Sequence, residues 1–196
     1  MTILEENVKK YYQSGYNCSE TLLHACNETY QLDISEEDMK MMAGFGGGMF
    51  IGSTCGALVG SIAALSKMVC KTKAHEMLPE LRPLIQKHTR NFKELLGNLD
   101  CAHIKPVHHS TDPNIKCMNT CLLAAKALEK TMEEEHLLYD SSSFLIFVIT
   151  CLLDESNLVE SSTSRNFYTS IQKKKHPVVL SQRVFFMIHS MLVLFY

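Results

Sequence analysis

Cys55 is the first residue in this chain to suggest chemistry, because it closes a glycine-rich stretch and opens Cys55-Gly56-Ala57-Leu58-Val59-Gly60. Ser53 or Thr54 is expected to cap a helix that continues to about Cys70, which puts Cys55 in a first turn. Unsatisfied amides and the positive end of the dipole there favour the thiolate, the form that attacks disulfides and ligates metals. Gly56 and Gly60 leave room for a second chain segment, or a bulky cluster, against that sulfur.

Cys18 is expected in the same kind of place. Asn17 can cap a helix, with Glu20 three residues on in a box-like arrangement, so that Cys18 is the first helical residue. Two helix dipoles can then point at one anionic centre. Cys101, read as lying in a loop after Gly97, and Cys117, read as lying on the inner face of the last helix, complete a set of four. Four thiolates are the usual ligand number for iron–sulfur clusters and for structural zinc.

The other thiols read differently. Cys26 and Cys121 fall on apolar stripes and are expected to pack as small buried residues. Cys121, one turn from Cys117, keeps a minor alternative as a spare ligand or resolving thiol. Cys70 and Cys151 have no supporting context. His103, His108 and His109 between Cys101 and Cys117 read as solvated loop histidines, although Cys-x-His spacing suits zinc. Met39, Met41 and Met42 read as core filler. The sequence contains no Ser-His-Asp arrangement, no Gly-x4-Gly-Lys phosphate loop and no dinucleotide fingerprint.

The elements that must position these thiols are all helical. A first helix is expected from about Leu4 to Gln13, a second after Asn17, and a short third after Ser35, with Asp38 completing its start. Gly44 to Gly52 read as a flexible connector into the Cys55 helix. A fifth helix spans about Pro79 to Leu96, with proline suiting its start and Gly97 its end. Asp112 and Pro113 read as cap and first residue of a sixth, whose inner face carries Cys117, Cys121, Ala124, Ala125 and Leu128. No strand pattern of similar strength precedes Leu138. The fold class is therefore all-α, a compact bundle of about five to six helices.

Beyond Asp140 the composition changes, since all nine glycines lie at or before Gly97 and the remainder is serine- and aromatic-rich. Residues 1–140 are read as the four-cysteine helical domain. Residues 141–196 are read as a C-terminal extension, either lineage-specific or never selected to fold.

A formal net charge of -2 offers no basic field for a phosphate backbone, so nucleic acid is excluded as a partner. Lys40 and Lys67 bound an uncharged stretch long enough to span a bilayer, but Gly44, Gly46, Gly47, Gly48, Ser53, Thr54 and Ser61 weaken its apolarity. A glycine loop leading into a buried helix is expected there instead of a membrane span. The N-terminal residues lack the apolar core of a secretory signal, so the expected compartment is the reducing cytoplasm. Thiols in that setting ligate metals or turn over more often than they form permanent bridges.

The chain resembles the C_GCAxxG_C_C family, which is named for redox activity and defined by four single cysteines, the second opening a Cys-Gly-Ala-x-x-Gly signature. Gly15-Tyr16-Asn17-Cys18-Ser19-Glu20, the glycine run before Cys55, Cys55 to Gly60, Phe92 to Gly97 leading to Cys101, and Cys117 with Ala124 and Ala125 carry the likeness over about two-thirds of the chain. The resemblance implies a helical domain of about the length preceding Glu135, often of anaerobic origin, with a redox role. It selects Cys18, Cys55, Cys101 and Cys117, and leaves Cys26, Cys70, Cys121 and Cys151 outside the pattern.

Three functions follow as expectations. The first is electron transfer through an iron–sulfur or related metal centre held by Cys18, Cys55, Cys101 and Cys117, serving a redox partner that the sequence does not identify. The second is a thiol–disulfide oxidoreductase in which Cys55 attacks and Cys18 resolves. The third is a zinc-stabilised or simply packed interaction module. A homodimer is compatible with each, through a small-residue face of Gly52, Gly56 and Gly60.

Overall fold

Local signals at two helix starts are met in full. Thr2 accepts from the Glu5 amide while the Glu5 carboxylate accepts from the Thr2 amide, and this opens α1 (Ile3–Gln13). Asn17 and Glu20 form the same reciprocal pair and open α2 (Cys18–Tyr30), so Cys18 is its first residue as its spacing predicts. The computed structural model of the chain describes residues 1–137, and the expectations for 141–196 lie outside them.

Ser35 caps α3 (Glu36–Met39) by accepting from the Asp38 amide, and the chain then tightens into a 3-10 turn, Lys40–Phe45. Met39 and Met42 are buried there, as expected of core filler, but Met41 is 63% exposed. The connector that follows is a defined loop, Gly48–Gly52, in which the non-glycine residues Met49 and Phe50 adopt left-handed φ values of 55° and 60°. After it come α4 (Gly56–Val69), α5 (Leu78–Leu96), α6 (Cys101–His108) and α7 (Met118–Glu134). Gly97, at φ 79°, ends α5 in the left-handed conformation that glycine adopts without a Cβ penalty.

Seven α-helices, and no strand beyond an isolated Thr54–Asp100 bridge, make the described residues all-α. The seventh is α6, which replaces the expected loop around Cys101. Residues Met1–Glu135 form one compact unit, in which α2 packs on α1 and α4, and α5 on α7. α7 also meets α1, α2, α4 and α6. Leu4, Val8, Leu22, Leu65, Phe92 and Leu128 are fully buried between these helices. Burying a side chain the size of Phe92 contributes about 2–3 kcal/mol.

The α2–α4 contact depends on glycine. A Cβ at Gly60 would collide with the Ser19 carbonyl and come within 2.9 Å of the Leu22 Cβ. Gly52 does not continue that face. It sits in the loop before α4 at φ 78°, where a Cβ would lie 3.0 Å from that of Ala102 on α6. The small-residue surface offered as a dimer contact is therefore occupied within the chain. No helix among the described residues is long and apolar enough to cross a membrane.

A buried polar network links three of the helices. Ser61 Oγ on α4 lies 2.6 Å from His88 Nε2 on α5, and His88 Nδ1 lies 3.2 Å from Thr131 Oγ1 on α7. Asn91 donates to the same Thr131 hydroxyl at 3.1 Å. Ser61, His88 and Thr131 are all fully buried. The Ser–His pair thus holds helices together, because no substrate can reach it.

Candidate functional site

Cys55 and Cys101 are brought side by side by a minimal antiparallel pairing. The Cys55 amide donates to the Leu99 carbonyl at 2.8 Å and the Cys101 amide donates to the Ser53 carbonyl at 2.8 Å. This clasp joins the chain just before α4 to the chain just before α6, and it sets both helix starts at once. Cys55 is consequently the cap residue of α4, taking the place expected of Ser53 or Thr54. Cys101, expected in a loop, is the first residue of α6, with Asp100 as its cap.

Cys18 joins them through the glycine signature. A Cβ built at Gly56 would lie 2.6 Å from the Cys18 sulfur and 2.6 Å from the Phe45 carbonyl. Only glycine lets the first turn of α4 approach the first residue of α2 so closely. The start of α2 is held by Ser19, whose hydroxyl reaches the Met42 carbonyl at 2.8 Å, and by Asn17, which donates to the Ala43 carbonyl at 3.0 Å.

Cys117 is the cap of α7 and not a mid-helix residue. Asp112, expected to cap that helix, instead closes a local turn by accepting from the Asn114 amide at 2.9 Å. The loop folds back through a Ser110 amide to Lys116 carbonyl bond of 2.9 Å, with Lys116 at a left-handed φ of 33°. The Cys117 amide, left without a partner at the helix start, donates to the Tyr12 hydroxyl at 2.9 Å. Tyr12 also lines an open cavity of about 600 Å3 with Gln13, Tyr16, Pro113, Asn114 and Lys116.

All four selected cysteines therefore stand at helix starts. Cys18, Cys55 and Cys101 are buried, Cys117 is half-buried, and every cysteine among the described residues is a free thiol. Burial pushes the Cys55 thiol up to about 12, a negative charge at Cys18 adds to this, and the Ala57 and Leu58 amides pull it only part of the way back. The expectation that its helix position favours the thiolate is thus reversed. At 2% exposure, lost hydration outweighs the dipole and amides, and Cys55 is a thiol at neutral pH.

The remaining thiols follow the same logic. Burial, then the charge at Cys18, raises Cys101, with Lys105 opposing. Burial, then charges at Cys18 and Cys101, raises Cys117 to about 11 against Lys105 and Lys116. Cys18 is thus the common electrostatic neighbour of the other three. No three His, Cys, Asp or Glu side chains among the described residues are grouped closely enough to hold a single metal ion. The four thiols feel one another's charge without closing on one point.

Two further residues belong to this neighbourhood. Cys121, fully buried, is raised by burial and then by Cys18, Cys55 and Cys117. Burial lifts Tyr12 to about 12; the Cys117 amide opposes this, and charges at Cys117, Cys121 and Cys18 add to it. The signal for Cys121 was its spacing one turn after Cys117. Nothing local marks Tyr12, because its partner lies across the fold. Cys26 is fully buried core, as expected; His103 is exposed and His108 and His109 partly so, but His103 and His108 lie on α6 and not in a loop. Cys151 lies outside the described residues.

The family model described as "Putative redox-active protein (C_GCAxxG_C_C)" matches residues 16–131. An uncharacterized protein of Archaeoglobus fulgidus is 32% identical over 127 residues, covering 59% of this chain and 82% of that protein. No solved structure matches.

Proposed function

The chain belongs to the C_GCAxxG_C_C family, and from that premise we propose that Cys18, Cys55, Cys101 and Cys117 together hold an iron–sulfur centre that passes electrons to a redox partner. The observation that carries this reading is that all four stand at helix starts, with those of Cys18, Cys55 and Cys101 tied together by the Ser53–Cys55 to Leu99–Cys101 clasp and the Gly56–Cys18 approach, and that of Cys117 held by Tyr12.

A cluster bound by four thiolates is anionic overall, and four helix N-termini supply backbone amides and partial positive charge without a buried cation. A four-iron cluster would suit these four thiols better than one zinc ion, since four sulfurs serving it would not have to share one metal atom. When bound, the cluster supplies one-electron storage. Burial of Cys18, Cys55 and Cys101 keeps water and oxidants from the sulfurs, and half-buried Cys117, beside the cavity at Tyr12 and Lys116, marks the side facing a partner. The high Cys55 and Cys117 values mean that these thiols must shed protons to ligate.

Anaerobic purification with iron and acid-labile sulfide analysis, alongside visible absorption, tests the reading. Near-stoichiometric iron and sulfide are expected; a colourless, metal-free protein after anaerobic reconstitution would sink it.

A second reading, thiol–disulfide exchange, rests on the Cys18 sulfur lying against the turn that begins with Cys55. Here the attack is assigned to Cys18, and Cys55, held protonated by burial, would have to give up its proton to the departing substrate sulfur before it resolves. Cys18 thiolate would displace one sulfur of a substrate disulfide. Cys55 would then displace the other, leaving a reduced dithiol substrate and a Cys18–Cys55 disulfide. A free-thiol count that does not change across a redox titration excludes it.

A further inference from the structure

Phe50 and Ile51 are 77% and 82% exposed, more than any other large apolar side chain among the described residues, and Met41 and Phe45 on the preceding 3-10 turn are exposed with them. Apolar side chains gathered on one water-facing stretch mark a contact surface.

The loop that carries them is held in place. Met49 and Phe50 stay in the left-handed region, which residues other than glycine seldom occupy and which persists only where the surrounding chain enforces it. The Ser53 amide closes the loop on the Gly48 carbonyl at 3.1 Å, a Cβ at Gly48 would collide with the Ser53 backbone, and Gly52 rests against Ala102. Phe50 and Ile51 are thus displayed in a fixed position, and a contact made through them costs little ordering.

The two flanks of this face carry opposite charge. Glu36 of α3 lies 3.8 Å from His24 midway along α2, the Phe45 carbonyl faces Gly56 at the start of α4, and Gly52 meets Ala102 in the first turn of α6. The 3-10 turn and the loop therefore lie between α3 and α6, and the loop packs on both the turn and α6. Glu36, Glu37 and Asp38 are exposed at the α3 end, where Lys40 offsets Glu37; Lys105 and His103 are exposed at the α6 end.

We propose that the Phe50–Ile51 loop is the contact of a homodimer, in which a second copy of this chain packs its own loop on the first about a two-fold axis. Such an axis sets the row antiparallel on itself, so that the acidic α3 end of each copy meets the basic α6 end of the other, twice over. That self-complementarity selects a second copy as the occupant, and an apolar centre with a charged rim is the usual make-up of such an interface. An anionic lipid surface would instead be repelled by the α3 carboxylates. The assignment stands whatever the cysteines hold. Because each loop runs directly into Ser53 and Cys55, it sets the two cysteine sites on either side of the interface.

Sedimentation velocity of the full chain under reductant, over a roughly hundredfold range of concentration, tests this. Wild type is expected to be a dimer at the upper end. Phe50→Asp and Ile51→Asp are each expected to raise the dissociation constant at least about tenfold. Far-UV circular dichroism and the denaturation midpoint should not change, because both side chains are exposed and aspartate tolerates a left-handed backbone. Lys105→Glu and Glu37→Lys are each expected to weaken the dimer about threefold, and the double variant to restore it. Wild type that stays monomeric throughout overturns the proposal, as does a dimer that Phe50→Asp and Ile51→Asp leave intact, which would put the contact elsewhere on the chain. Monomeric wild type retained by vesicles of phosphatidylcholine and phosphatidylglycerol, with retention lost in Ile51→Asp, would overturn it in favour of a lipid surface. Charge variants that leave the dimer unchanged while the loop variants dissolve it would overturn the antiparallel arrangement.

Discussion

The Tyr12 hydroxyl accepts a hydrogen bond from the Cys117 amide at 2.9 Å, joining the end of α1 to the start of α7 across 105 residues of chain. A helix start leaves several amides without intrahelical partners, and this one is satisfied by a side chain from another helix instead of a local cap. Tyr12→Phe keeps the ring and removes the acceptor. Chemical denaturation should show a loss of about 1–2 kcal/mol. Cys117 should also react faster with a thiol reagent in the folded protein. An unchanged reaction rate would mean that Tyr12 does not hold the Cys117 junction.

Glycine at position 60 is a packing requirement. Alanine would gain about 1 kcal/mol of helix propensity at an exposed site. Here its methyl meets the Ser19 carbonyl and the Leu22 Cβ, and backbone cannot swing aside. Gly60→Ala is expected to destabilise by about 1–3 kcal/mol in denaturant titration, as overpacking does. Gly44→Ala, with nothing within 4 Å of the added Cβ, serves as the neutral control. Equal stability of the two variants would contradict the close α2–α4 approach.

His88 makes stability depend on pH. Burial lowers it from 6.5 to about 4 in the folded chain, with the Ala127 carbonyl opposing. Between those values the unfolded chain binds a proton that the folded chain refuses, so stability rises with pH there. The contribution is fully present above about 6.5 and is lost as pH falls towards 4, to a depth of about 3 kcal/mol. Denaturant titrations from pH 7 to 4 should show this slope, and His88→Gln should flatten it while lowering stability overall. A slope that survives in the variant would assign the effect to other groups.

Metal loading should release protons. Cys55 at about 12 and Cys117 at about 11 are thiols at neutral pH, and each must lose its proton to ligate. Loading should therefore strengthen steeply from pH 6 to pH 8, and calorimetry in buffers of different ionisation enthalpy should count the protons released. Loading that is independent of pH would argue that these sulfurs are not ligands.

Much of the scaffold is legible because its determinants are local. The Asn17–Glu20 box, the Ser35–Asp38 start and the Gly97 stop lie within a few residues of what they control, and each is found where the spacing puts it. The cysteine signature likewise marks the site, since Gly56 is needed against Cys18 whatever the chemistry.

The thiol environments were not legible, because distant chain creates them. Cys101 begins a helix on account of the clasp with Ser53, and Cys117 caps one because Asp112 spends its side chain on a local turn while Tyr12 supplies the missing acceptor. By itself, then, the sequence determined every helix but α6, the ends of α1, α2, α3 and α5, and which four thiols are the candidates. The tertiary structure alone decided that all four share helix starts, that Cys121 joins them, and that Cys55 is a protonated thiol. A dipole is a property of one helix, but desolvation depends on everything packed around it, and at 2% exposure it prevails.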